Sequence, residues 1–425
     1  MVALALAACG GGDHKTAVKA LPSASCQKVE YGGDGKPNIL FASDLPAQGA
    51  SRERTAQQVQ AIRLVLEERN WRAGEKRVAF QACDDTIRST GLWDAAKCRS
   101  NGRAYAGNPD VVGVIGTYNS GCAKEIIPVA NRASGGGLAM ISPGNTLVCL
   151  TLRSDTCAQD EPGKYYPTGK RSYVRVVPND AFQGAALAQF ARQRGFGRVF
   201  VLYAKDDPTS LGQATTFRNA AASLGSSLAG FEPWDSKAKD YKPLMRRVKR
   251  SGADAVLLAG LIEQNGARLI KDKVAVLGPN NGAVGLMAPD GFAQQSTIDK
   301  AGGAADGMFA SVPGRAPESL APRGKQFVAK LRRQLSGKPV ELYAPYAGEA
   351  AVLLLDAIAK SGGDRAGVID ALFRTKVKDG ILGAFDVESS GGPSVGPVTV
   401  FVARKTFQRF TEITPAKKLV DTASG

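Results

Sequence analysis

The chain has 425 residues, 44% hydrophobic and 7% aromatic, with a formal net charge of +16. That length supports two or three domains at roughly 150 residues each. No basic run is interleaved with aromatics, which argues against nucleic-acid binding, and the spread-out charge reads as a solvated Lys/Arg surface, with contact to an anionic membrane or cell-wall polymer as the alternative.

Residues 1–9, MVALALAAC, read as the end of a secretory signal. Leu6-Ala7-Ala8-Cys9 resembles the bacterial lipobox, in which the cysteine thiol takes a diacylglyceryl group. The basic n-region of a signal peptide is absent from the chain as it stands. Gly10-Gly11-Gly12 begins a Gly, Lys, Ser and Pro-rich stretch to residue 36 that reads as a flexible tether. No other segment approaches the roughly 20 apolar residues of a membrane span.

Six cysteines follow Cys9: Cys26, Cys83, Cys98, Cys122, Cys149 and Cys157. An even number in an exported chain reads as disulfides. Cys149–Cys157 would close a short loop. Two of Cys83, Cys98 and Cys122 are expected to pair, leaving Cys26 for the third bridge. A metal site is disfavoured, because there is no CxxC and the one histidine, His14, lies in the tether.

Ile39–Phe41 begins the first strand, and an apolar-patterned helix runs on to Arg69. Val78–Gln81 is a second strand and Trp93–Ala106 a helix. Val111–Ile115 is a continuous apolar run, as a parallel strand buried on both faces requires. It ends in Gly116-Thr117-Tyr118-Asn119-Ser120, with Ser120 placed to cap a helix from about Gly121. Leu138–Ile141 is the next strand, leading into Ser142-Pro143-Gly144-Asn145-Thr146. After Ser172 the β–α order repeats: strands at Arg198–Tyr203, Leu228–Glu232, Ala255–Ala259 and Val284–Met287, with helices at Leu211–Leu224, Tyr241–Arg250 and Glu263–Leu277. Long helices at Ala321–Leu335 and Pro345–Lys360 follow, then a hairpin of Ile381–Val387 with Val398–Ala403. Alternating βα units predict parallel sheets covered by helices on both faces.

The sequence lacks the apparatus of most enzymes. A lone histidine in a tail excludes Ser-His-Asp and Cys-His machinery. No P-loop, H-E-x-x-H or post-strand G-x-G-x-x-G occurs. The acid pairs Asp84-Asp85 and Asp206-Asp207 read as solvated turns, and no cofactor is expected. In open α/β sheets ligands bind outside the carboxyl ends of strands. The turns at 116–120 and 142–146, loaded with Ser, Thr, Asn and Gly, are therefore half of a small-molecule pocket.

The pair GTYNSG and ISPGNT resembles the facing ligand loops of type I periplasmic binding proteins, branched-chain amino-acid receptors especially. The resemblance runs over most of residues 37–412. It includes Tyr173-Val174-Arg175 with Asn179-Asp180, the Arg198–Tyr203 strand and Ala288-Pro289-Asp290-Gly291-Phe292. It implies two Rossmann-like lobes joined by a three-strand hinge, with lobe one at 37–173 plus 314–385, lobe two at 174–313 plus 386–412, and a tail at 413–425. It implies a solute-binding protein of an ABC importer, held to the bacterial cell membrane by lipid on Cys9, closing on an amino acid or related small molecule and docking on a permease. A receptor module reporting to a signalling partner is the second reading.

By the same resemblance, Ser120 and Thr146 hydrogen-bond a ligand carboxylate, with the Gly121 amide at the helix N-terminus. Gly144 offers backbone contacts, and Asp290 pairs with an ammonium. Other readings of these residues are a plain N-cap for Ser120, turn chemistry for Thr146 and a loop acid or N-cap for Asp290. Tyr118 is either a pocket ring or core. The chain departs from the family at Leu211-Gly212 and Leu261-Ile262, where tyrosines are expected, and at Gly49-Ala50-Ser51-Arg52.

Overall fold

Two runs of β–α alternation close into two separate sheets. The computed structural model describes residues 18–205 and 207–425, so Cys9, His14 and Asp206 lie outside the described residues. The first run comprises β1 (Ile39–Asp44), α1 (Arg52–Glu68), β2 (Arg72–Ala73), β3 (Lys76–Cys83), α2 (Ala95–Gly107), β4 (Val111–Gly116), α3 (Ser120–Asn131), β5 (Ala139–Ser142) and β6 (Tyr173–Arg175). Its sheet has the order β2-β3-β1-β4-β5-β6, parallel except at β2–β3. β1 and β4 are buried at every position, because helices cover both faces and an uninterrupted apolar run is what such a strand needs.

The second run comprises α4 (Asp180–Gln193), β7 (Arg198–Ala204), α5 (Pro208–Ser223), β8 (Ser227–Trp234), α6 (Lys242–Arg250), β9 (Ala255–Ala259), α7 (Ala267–Leu277), β10 (Gly285–Ala288), α8 (Gln295–Ala301) and β11 (Phe309–Pro313). The chain then returns to the first lobe for α9 (Pro322–Gln334), α10 (Ala344–Ser361), α11 (Arg365–Phe373) and the hairpin of β12 (Lys376–Gly380) and β13 (Gly383–Asp386). It ends in the second lobe with β14 (Val398–Ala403), β15 (Phe407–Ile413) and α12 (Lys417–Ser424). The second sheet has the order β15-β14-β11-β10-β9-β7-β8. The chain thus passes between lobes three times: after β6, after β11 and between β13 and β14.

Small residues set the helix–sheet and helix–helix distances. A Cβ on Gly113 of β4 would fall 2.6 Å from Leu354 Cδ1 of α10, so glycine lets that buried helix close on the sheet. On the other lobe, a Cβ on Gly184 of α4 would meet Thr216 Oγ1 of α5 at 2.4 Å.

Several sequence expectations need correction. Residues 18–36 are not a free tether. Val18 and Leu21 are buried, Gln81 holds the Leu21 and Gln27 carbonyls, and Glu30 bridges Phe80 as an added antiparallel pair. Residues 413–425 are not a tail, because Leu419, Val420 and Ala423 of α12 are buried with the α4 and α5 core. The hairpin of 381–387 with 398–403 does not form: β13 pairs with β12, while β14 pairs with β11 and β15. The helix expected from Glu263 starts at Ala267, after a π-turn in which Asn265 takes φ 64°.

The cysteines pair as Cys26–Cys83, Cys98–Cys122 and Cys149–Cys157. Asp84 and Asp85 are not solvated. Asp84 accepts from the Ala47 and Thr86 amides and pairs with Lys97 at 3.2 Å, and Asp85 is fully buried.

Candidate functional site

The turns after β4 and β5 are tied into one unit. Ser142 Oγ donates to the Thr117 carbonyl at 2.8 Å and accepts from the Asn145 amide at 2.7 Å. Asn145 Nδ2 donates to the Tyr118 carbonyl at 3.0 Å, and Tyr173 donates to Asn145 Oδ1 at 3.0 Å. Arg175 of β6, fully buried, donates to the Asn145 and Leu147 carbonyls at 3.0 and 2.9 Å. The short polar side chains of ISPGNT therefore build the turn itself, with the Gly144 amide donating to Ser142 Oγ at 3.1 Å and the Thr146 carbonyl accepting from the Asp180 amide at 2.7 Å.

Ser120 is the first residue of α3, and Asn119 occupies the N-cap position. The Ser120 hydroxyl accepts from the Leu147 amide at 3.3 Å, so the simple capping role does not hold. Gly121 follows in the first turn, where unpaired amides and the helix dipole favour an anion. The Trp93 indole lies against it: a Cβ there would fall 2.2 Å from the ring. Gly144 has the same relation to Tyr118, at 3.0 Å.

Tyr118 is buried, with its hydroxyl 2.6 Å from Arg54 Nη1 and its ring edge-on to Tyr343 at 6.0 Å. Burial pushes its hydroxyl up to about 12, with the Arg54 guanidinium opposing. Asp290, in the turn after β10, comes from the other lobe. Its Oδ1 accepts from Gln183 at 2.9 Å and Gln213 at 3.4 Å, and its Oδ2 from Tyr343 at 2.9 Å. Burial raises its carboxyl above the usual range, against the lowering effect of the Gln183 and Tyr343 hydrogen bonds and of Arg54.

All six of Tyr118, Ser120, Gly121, Gly144, Thr146 and Asp290 line one cavity of about 450 Å³ between the lobes. That size is within the range of small-molecule sites. Its other walls were not assigned to the site from sequence. Trp93 and Leu92 come from the loop before α2, and Gln213, Lys205 and Asp207 from the second lobe. Asp207 caps α5 through the Thr209 amide and accepts from Gln264 Nε2 at 2.6 Å. Leu261, where the family pattern has a tyrosine, lines the cavity, and Leu211 lines a wider groove beside it. That groove, about 840 Å³, shares Lys124, Glu125, Asp207 and Pro208 with the cavity. Within the groove Lys124 and Lys164 each lie 3.3 Å from Glu161.

The lobes touch directly around the cavity. Ser51 donates to Glu263 at 2.7 Å, Tyr343 reaches Asp290, and Arg54 donates to the Ala293 carbonyl. The Gly49–Arg52 loop thus acts as a contact between lobes. Among the described residues two groups of side chains have metal-ligand proximity, Asp85 with Cys98 and Cys122, and Glu161 with Cys149 and Cys157. In both, the sulfurs are bonded to each other, leaving one carboxylate.

Two α/β lobes with three crossings and a cavity between strand ends define a type I binding-protein architecture. A model of the periplasmic binding protein family matches residues 45–408, and the chain belongs to that family. Its members are substrate-binding receptors of ABC transporters rather than enzymes, and they work extracytoplasmically with permeases. A Leu/Ile/Val-binding protein homolog of Brucella abortus is 24% identical over 397 residues, covering 89% of this chain and 94% of its own. A leucine binding protein from Thermotoga maritima superposes with TM-score 0.75 at 22% identity, covering 89% of this chain and 99% of that one. A Rhodopseudomonas palustris solute-binding protein in complex with p-hydroxybenzoic acid superposes with TM-score 0.73 at 17% identity, covering 89% and 97%. Among the described residues no helix is long and apolar enough to cross a membrane.

Proposed function

We propose that this chain is the lipid-anchored receptor of an ABC importer, taking an amino acid or a close relative into the cavity between its two lobes. One observation carries the reading: hydroxyls, a helix N-terminus and a carboxylate, from turns of both lobes, line a single cavity of ligand size. Ser120, Thr146 and the Gly121 amide receive the ligand carboxylate, the Gly144 backbone and the Tyr118 ring form its wall, and Asp290 receives its ammonium. Because these groups belong to different lobes, a bound solute gains its full set of contacts only in the closed form. Ligand therefore biases the hinge toward closure, and the closed form presents to the permease.

A thermal-shift screen over amino acids, amides, short peptides and aromatic acids tests the reading, with a stabilised transition expected for at least one. No stabilisation by any of them would contradict it. The anchor is tested separately. Two acyl chains hold a protein at a membrane where one does not, so Cys9→Ala in the full-length precursor is expected to release the protein from the membrane fraction. Unchanged retention would contradict the anchor alone.

A further inference from the structure

Behind Asp290 lies a second buried carboxylate. Asp180 is the first residue of α4, just past the first crossing between lobes, and is 1% exposed. Its Oδ1 accepts from Gln183 Nε2 at 3.2 Å and Gln213 Nε2 at 3.4 Å. The same two amides serve Asp290 Oδ1, so the two acids are held side by side. The Gln183 amide cannot turn away, because its Oε1 accepts from the Asp290 amide at 3.2 Å and from Ser311 at 2.9 Å. Asp180 Oδ2 has no hydrogen-bond partner among the described residues.

Two buried guanidiniums lie near this pair, and neither makes an ion pair with it within 4.0 Å among the described residues. From β6, Arg175 faces Asp180, but its Nη atoms donate to the Asn145 and Leu147 carbonyls and to Thr151. From α1, Arg54 faces Asp290, but it serves Tyr118, two main-chain carbonyls and Glu341. Tyr343 donates to Asp290, the Thr146 side chain faces Asp180 and favours its ionised form, and α5 and β11 contribute the neutral Gln213 and Ser311. No ion pair within 4.0 Å reaches either acid among the described residues. Burial and the neighbouring Asp290 raise Asp180 to about 7. Adjacent carboxylates of this kind titrate as a pair, and hold one proton where isolated acids would hold none.

We propose that Asp180 is a positioning residue for the ligand's cation: it shares one proton with Asp290 in the empty cleft, and an incoming ammonium at Asp290 takes that proton's place. The step balances. The singly protonated pair and the ammonium become a doubly ionised pair with the ammonium bound, and one proton leaves to solvent. The ligand class is then an amine-bearing acid rather than a plain carboxylate such as p-hydroxybenzoate. This rests on the cavity being the solute site.

Two arms test it. Without ligand, buried carboxylates that share a proton lose native stability as pH rises from the ordinary carboxylate range toward 7. Asp180→Asn is expected to raise the melting temperature relative to wild type at pH 8 and not at pH 5. Equal effects at both pH values would overturn the shared proton. With ligand, the standard amino acids and p-hydroxybenzoate are screened, and the best binder is titrated calorimetrically at pH 6 in two buffers of different ionisation heat. An amino acid is expected to bind wild type with release of about one proton, and Asp180→Asn to keep binding while losing the release. Binding without proton release, or binding of p-hydroxybenzoate alone, would overturn the proposal while leaving the receptor function standing. A silent screen beside a positive first arm would contradict the receptor function and leave the paired acids intact.

Discussion

At the scale of single residues, burial decides what a group does. Asp44, at the end of β1, is fully buried, hydrogen-bonded to Asn101, and pushed up to about 7 by desolvation, with Asp84 adding to the rise. A carboxyl raised in the native state costs stability as it ionises. The loss sets in above the unfolded value of about 3.9 and is complete past the folded one. Asp44→Asn is therefore expected to flatten the fall in stability between pH 4 and pH 8, by a few kcal/mol at roughly 1.4 kcal/mol per tenfold change in proton affinity. Chemical denaturation across that range checks it. At Gly121 the close neighbour is a ring. A methyl there meets the Trp93 ring at 2.2 Å, so Gly121→Ala is expected to displace the indole and weaken ligand binding at least tenfold while leaving the fold intact, as calorimetry and circular dichroism would show. Ser120, Thr146 and Asp290 were legible as site residues because polar groups at strand ends are conspicuous against apolar strands. Trp93, Gln213 and Asp180 were not: a ring in an irregular loop, and polar groups inside helices, carry no periodic signal, and only the fold brings them to one place.

Elements buried on both faces were the easiest to read, since β4 and β9 are continuous apolar runs with no competing pattern. Elements defined by distant partners were not. α12 offers three buried side chains, Leu419, Val420 and Ala423, too few for a periodic signature, yet they close over α4 and α5. Deleting residues 417–425 is expected to cost about 3–5 kcal/mol, since burying one large aliphatic side chain is worth about 1.5–3 kcal/mol; urea titration measures it, and no loss would mean the helix is dispensable. Likewise Val398–Ala403 looked like half of a local hairpin because proximity in sequence is the default for adjacent strands. Its partners lie in the second lobe, β11 before the chain's excursion through α9–β13 and β15 after the third crossing. The Cys149–Cys157 bridge belongs to this scale too. It staples the segment that follows Thr146, so replacing both cysteines with serine is expected to cost about 2–5 kcal/mol and to weaken ligand binding through the 142–146 turn. Unchanged binding would show the turn is held by Ser142 and Arg175 alone.

At the scale of the whole molecule, the hinge explains why site groups are distributed as they are. Ser120, Gly121 and Thr146 ride on the first lobe and Asp290 on the second, and contacts such as Ser51–Glu263 and Tyr343–Asp290 hold the lobes together at the rim. These rim bonds link loops far apart in sequence, so the two-lobed plan was readable from the repeated βα order while the closure contacts were not. The most direct measurement is calorimetry on Ser120→Ala, Thr146→Ala and Asp290→Asn with the solute found by screening. Loss of a buried hydroxyl partner to an anion should cost about 1.5–3 kcal/mol of affinity, and Asp290→Asn as much or more for a ligand bearing an ammonium, which would otherwise be buried without its counter-charge. Full affinity in both hydroxyl variants would mean that the solute binds elsewhere, and would contradict the assignment of the interlobe cavity.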